Sequence, residues 1–176
     1  VKEVRDAQGR LLAPNGKPSK LNERQWKQVR TQFFKDWFGD FENDPANASK
    51  VVDENGEPLV VYHGTSADFN VFKKTKGTVS TIFGSEDVER TGFFFTDDRK
   101  FASAFGPLME TYLNIKEPFD MRNGISEEMY QKAEEAGISG RWLLRNMEDW
   151  ERFDEEDGVL FVENLQTAQY DGSTFM

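Results

Sequence analysis

"RTGFFFTDDRKFASAFG", residues 90–106, sets three phenylalanines, a threonine and two aspartates ahead of a short alanine-containing run. Consecutive aromatic residues favour a strand, and in an extended chain they alternate, with Phe94 on one face and Phe93 and Phe95 on the other. An aspartate is a good helix N-cap, so "DDRKFASAFG" reads as a short helix ending at Phe105, eleven residues beyond Phe94. Strand, turn and helix bring those two rings within reach of each other. The slot between them fits a flat heteroaromatic ring by stacking. Read alone, both rings fit a plain core role as well.

Upstream, "LVVYHG" carries the chain's one histidine, His63, out of the end of a strand, and Gly64 and Thr65 follow it. A neutral imidazole can hydrogen-bond a ribose hydroxyl, and a glycine lets backbone approach a ligand closely. Read alone, His63 is a satisfied structural residue. "YLNI", "VLFVEN" and the final "STFM" are further short strands. "ISEEMYQKAEEAG" is a helix capped by Ser126 and closed by Gly137, and "SGRWLLRNMEDWERF" has the apolar spacing of another. This irregular order gives an α+β domain with a mostly antiparallel sheet rather than a doubly wound one, and no internal repeat stands out.

The N-terminal part reads differently. Residues 1–20 form a loose arm, and "LNERQWKQVRTQFFKDWFGD" one amphipathic helix with Trp26, Val29, Phe33 and Trp37 in a stripe. Asn22 and Gln25 fit a capping box, Gly39 a stop, and "DENGEP" a turn. Arg24, Lys27, Arg30 and Lys35 read as a solvated helix surface. The expected organisation is an arm and helix over 1–50, packed on a main body over 51–176. The chain opens on Val1 and stops inside what reads as a strand, so the expectation is a piece of a longer polypeptide whose last strand continues past Met176.

Composition narrows function. With 176 residues, sixteen Phe and four Trp, the chain can bury an aromatic core. A formal net charge of −10 disfavours nucleic acid as a partner. No apolar run approaches the roughly 20 residues of a membrane span. The absence of cysteine removes a thiolate nucleophile and thiolate metal ligands, and one histidine leaves no ordinary zinc set, so no metal is expected. The seven carboxylates between Glu148 and Asp157 lack calcium-loop spacing and read as a solvated helix end. Walker, dinucleotide-fold and nucleophile-elbow motifs are missing.

Together, "YHGT" and "GFFFTDD…ASAF" resemble the diphtheria-toxin-like and poly-ADP-ribose-polymerase-like ADP-ribosyltransferases. The chain is most similar to the ADP-ribosyltransferase-like domains inside large polyvalent proteins of phages and conjugative elements, and the leader from about residue 21 shares that likeness. The resemblance implies a split sheet and an NAD-dependent mono-ADP-ribosyltransferase, a glycosyltransferase in chemistry. It would release nicotinamide and act as an effector or toxin, with a protein acceptor, in a bacterial or host cytoplasm. It implies that His63 holds the adenosine-side ribose and that the Gly64 backbone binds the carboxamide. Phe94 and Phe105 take the places of two stacking tyrosines, with Thr65, Phe95, Thr96 and Ser103 as further NAD contacts. Ala102 stands where some members carry a serine, and "KKTKGTVSTIFGSEDVER" would be a mobile loop closing over NAD. Where the family presents a late-strand glutamate, this reading finds Thr174, with Asp171 or Glu163 as substitute carboxylates. Those departures make a catalytically impaired NAD- or ADP-ribose-binding module the alternative.

Overall fold

The computed structural model describes residues 2–65, 76–81, 84–89, 93–120, 126–128, 131, 135, 158–160, 166–169 and 174–175. Nine strands fall in these residues. Seven form one sheet: β1 (Val61–Gly64), β4 (Phe93–Thr96), β5 (Leu108–Leu113), β6 (Pro118–Asp120), β7 (Gly158–Leu160), β8 (Gln166–Gln169) and β9 (Thr174–Phe175). Their order is β6-β7-β8-β4-β1-β5-β9, antiparallel except for the β6–β7 pair. The remaining two, β2 (Lys76–Thr81) and β3 (Gly84–Glu89), pair with each other as a separate ribbon. The architecture is α+β with a mostly antiparallel sheet.

The long helix read over the leader is two helices, α1 (Glu23–Val29) and α2 (Gln32–Phe38). The capping box of Asn22 and Gln25 starts α1, and Gly39 ends α2 with φ +98, where an added Cβ would strike Ala48. Between them Thr31 caps a new helix, its hydroxyl accepting from Phe34 N. The break shifts the buried stripe. Trp26, Val29, Phe34 and Phe38 are buried, and Phe33, read as core, is 74% exposed. Phe34 meets Tyr112 of β5 edge-on, so the helices cover one flank of the sheet.

The same break turns Arg30 inward, away from the solvated surface expected of it. Arg30 donates to Glu57 and Glu42 at 2.8 Å each, and its guanidinium stacks 3.8 Å over Trp26. Glu57 also accepts from Ser19, and burial pushes its carboxyl pKa upward against those two donors.

The arm is folded rather than loose, and it holds two copies of a turn that recurs after the helices. Asp6–Gly9, Ala13–Gly16 and Asp53–Gly56 make the same turn. Each closes with a glycine N–H to the first residue's carbonyl, and the glycines have φ +80, +80 and +78. Each is flanked by one β-bridge: Arg5↔Leu11, Leu12↔Pro18 and Val52↔Pro58. Positive φ at the fourth position is the reason glycine recurs there. The second and third turns touch at equivalent positions, Asn15 Nδ2 donating to Asn55 Oδ1 at 3.0 Å.

Of the later helices expected, Glu127, Glu128, Gln131 and Glu135 are helical. The run from residue 139 to 153 and the acidic stretch to Asp157 lie outside the described residues. Among the described residues no helix is long and apolar enough to cross a membrane, and no group of three or more His, Asp or Glu side chains is placed to hold a metal.

Candidate functional site

β1 and β4 are neighbours, yet a single pair, Tyr62↔Thr96, is in register between them. β1 and β5 share four such pairs, and so do β4 and β8. The sheet therefore has a seam between its two central strands, and His63 stands at it. Its Nδ1–H donates to the Phe94 carbonyl oxygen at 2.8 Å, a side-chain bond between the two strands. A carbonyl only accepts, so the proton sits on Nδ1 and, in the neutral ring, Nε2 is the acceptor. The ring lies 5.5 Å from that of Phe95, which is buried in the core with Val61 and Leu113.

Gly64 has a packing reason to lack a side chain. A Cβ there would lie within 1.9 Å of the Ala102 carbonyl oxygen and 3.1 Å of Phe105 Cβ. Ala102 belongs to α3 (Arg99–Ser103), whose N-cap Asp98 accepts from Lys100 N and Phe101 N. Thr96 Oγ1 accepts from Asp98 N, tying the cap to the end of β4, and Thr65 N–H donates to the Pro107 carbonyl beyond the helix. Strand, helix and return are thus seated against β1 through a glycine. The expected helix to Phe105 stops earlier, and Phe105 lies in the turn that follows. Its ring is 60% exposed and meets Phe101 edge-on at 5.3 Å.

The structure therefore brings together His63, Gly64, Phe94, Ala102 and Phe105. Ser103 is exposed, its hydroxyl donating to Lys100 O, so it turns back on its own helix. Beside the cluster, burial raises the Asp97 carboxyl pKa, with Asp98 adding to the effect, and Asp97 Oδ1 is buried with no hydrogen-bond partner. A cavity of about 610 Å³ lies elsewhere, in the leader around Leu12, Trp26 and Arg30.

Thr174 is not brought to this cluster. It pairs with Leu113 on β9, separated from β4 by both β1 and β5. The register partner of His63 on β5 is Met109, four residues from Leu113 and so roughly 14 Å along the strand. Asp171 and Glu163 lie outside the described residues. The strand beside β4 is β8, which places Gln166 opposite Thr96, Thr167 opposite Phe95 and Ala168 opposite Phe94. The sequence reading missed this strand because "QTAQ" is polar and short. The signal for it was its place between the "VLFVEN" run and the late "STFM" strand. The segment read as a mobile loop contains the β2–β3 ribbon.

The sequence profile of a family described as ADP-Ribosyltransferase in polyvalent proteins matches residues 53–176, a span that takes in every element of this cluster. The chain belongs to that family. Among curated proteins and among solved structures, nothing matches significantly. In this member of the family His63 stands at the seam, and the glycine after it seats the helix carrying Ala102.

Proposed function

We propose that the protein is an NAD-dependent mono-ADP-ribosyltransferase that passes ADP-ribose to a protein acceptor in a bacterial or host cytoplasm and releases nicotinamide. The observation that supports this reading is the His63–Phe94 seam, with Gly64 and Phe105 beside it, inside a chain of this family. Nicotinamide stacks on the Phe94 and Phe105 rings, which lack phenol hydroxyls and so contribute ring faces alone. His63 Nε2 accepts from a ribose hydroxyl, the Gly64 backbone takes the carboxamide, and Thr65 and Thr96 line the approach. The bond from ribose C1′ to the nicotinamide nitrogen breaks with its electron pair leaving on nicotinamide. The acceptor nucleophile then bonds to C1′, and its proton passes to solvent.

One observation favours the alternative, a binding module for NAD or ADP-ribose: the four residues of β8, Gln166–Gln169, include no carboxylate to stabilise developing positive charge. Nicotinamide release from NAD, compared between wild type and His63→Ala, decides between them. The transferase reading expects the substitution to lower the rate by about a hundredfold. Wild-type turnover no higher than the His63→Ala background, with NAD still bound, leaves the binding module.

A further inference from the structure

The ribbon of β2 and β3 is inserted in the chain between the two strands of the seam. Six residue pairs hold it, from Lys76↔Glu89 at its base to Thr81↔Gly84 at its tip, and among the described residues neither strand pairs with any other. Four Cα steps separate Glu89 from Phe93, so the base lies within about 14 Å of the strand that carries Phe94. A two-stranded ribbon is only marginally stable in water, and this one has two apolar residues, Val79 and Val88, among its twelve. A third strand is what such a ribbon gains most from.

Which backbone groups point outward from the ribbon can be read from the register. Two residues separate Thr81 from Gly84, which makes that closing pair a hydrogen-bonded one, and hydrogen-bonded pairs then alternate with non-hydrogen-bonded pairs. On β3 the outward N–H and C=O groups therefore belong to Ser85, Asp87 and Glu89. That strand, "GSEDVE", carries three carboxylates and no cation.

We propose that the outer edge of β3 is a docking edge for the acceptor: an extended, basic segment of the acceptor protein adds to it as a third strand. Backbone bonds to Ser85, Asp87 and Glu89 supply affinity, and the carboxylates select arginine- and lysine-bearing strands. The tether at the base of the ribbon delivers the docked segment to the seam. Its role as acceptor dock rests on the transferase reading, whereas the docking itself does not.

The test uses the full chain and a short peptide alternating Arg with Thr, beside a counterpart alternating Glu with Thr. Fluorescence anisotropy reads binding, amide exchange reads the edge, and nicotinamide release without peptide reads the chemistry. Asp87→Pro removes one outward N–H and spares the ladder, whereas Val88→Pro strikes the ladder itself and reports what a collapsed ribbon looks like. The expected result is that the Arg–Thr peptide binds and slows exchange at Ser85, Asp87 and Glu89. Asp87→Pro should then weaken it about tenfold, the loss of one backbone bond and one carboxylate, with exchange along the β2–β3 ladder unchanged. Replacing Asp87 and Glu89 by lysine keeps both N–H groups and should transfer the preference to the Glu–Thr peptide. Equal binding of the Arg–Thr peptide to Asp87→Pro with the ribbon intact overturns the proposal. So does slowed exchange confined to other strands, or a dimer of the chain that already covers the edge. Should the peptide bind as expected while wild type releases no nicotinamide, the docking edge stands and the transferase reading falls.

Discussion

In the leader, the Arg30 side chain is 4% exposed and donates to two carboxylates at 2.8 Å, one of them fully buried. At the seam, the Phe105 ring is 60% exposed and one strand pair joins β1 to β4. The leader spends hydrogen bonds, ion pairs and the Phe34–Phe38–Tyr112 stack on rigidity. The seam is joined more sparingly: between β1 and β4 the described residues show one register pair and the His63–Phe94 hydrogen bond. On the proposed transferase reading, fold and chemistry fall to different residues, which makes the division testable.

The largest effect belongs to the leader. Arg30→Ala strands a buried Glu57 and should cost about 3–5 kcal/mol in chemical unfolding, with NAD binding preserved in the protein that remains folded. Lost binding at full folding would break the division. At the seam, Gly64→Ala forces a Cβ against the Ala102 carbonyl. It should cost about 1–3 kcal/mol and displace α3 enough to lower nicotinamide release along with it. An unchanged rate would mean that the seat of α3 is unconnected with the ring slot. The smallest effect tests the leader's rim. Hydrogen bonds from Lys35, then Asn43, lower the Asp40 pKa from 3.8 to about 2. Its contribution is therefore present above the ordinary carboxylate value and lost as pH falls through about 2. Because the Asp40 side chain is 36% exposed, Asp40→Asn should cost less than about 1 kcal/mol near neutral pH and nothing at the acid end, read by denaturant midpoints.

What the sequence showed and what it hid divide along physical lines. "VYHGT" and "GFFFT" were legible because burial demands apolar, β-favouring runs, and Asn22, Asp98 and Gly39 because caps are local chemistry. The break between α1 and α2 was not, since it depends on Arg30 finding Glu57 twenty-seven residues away. The ribbon was hidden by its polarity: "KGTVST" and "GSEDVE" pair with each other and include only two apolar residues, Val79 and Val88. β8 was hidden likewise, and with it the identity of the strand beside Phe94. The two segments that meet at the seam were thus readable from spacing. The third was looked for at Thr174, where alternation put a strand but topology put the far side of the sheet.

Sequence similarity to the family begins at residue 53, the first residue of the third turn, so that boundary cuts the Val52–Pro58 bridge around it. A piece excised there keeps Glu57 but leaves behind Arg30 and Ser19, the groups that neutralise and hold its carboxylate. It also bares the flank on which Tyr112 and Val60 pack against Phe34 and Phe38. The homologous unit and the portable unit are therefore different lengths of chain. What similarity marks as the start of the domain is, mechanically, the middle of its scaffold.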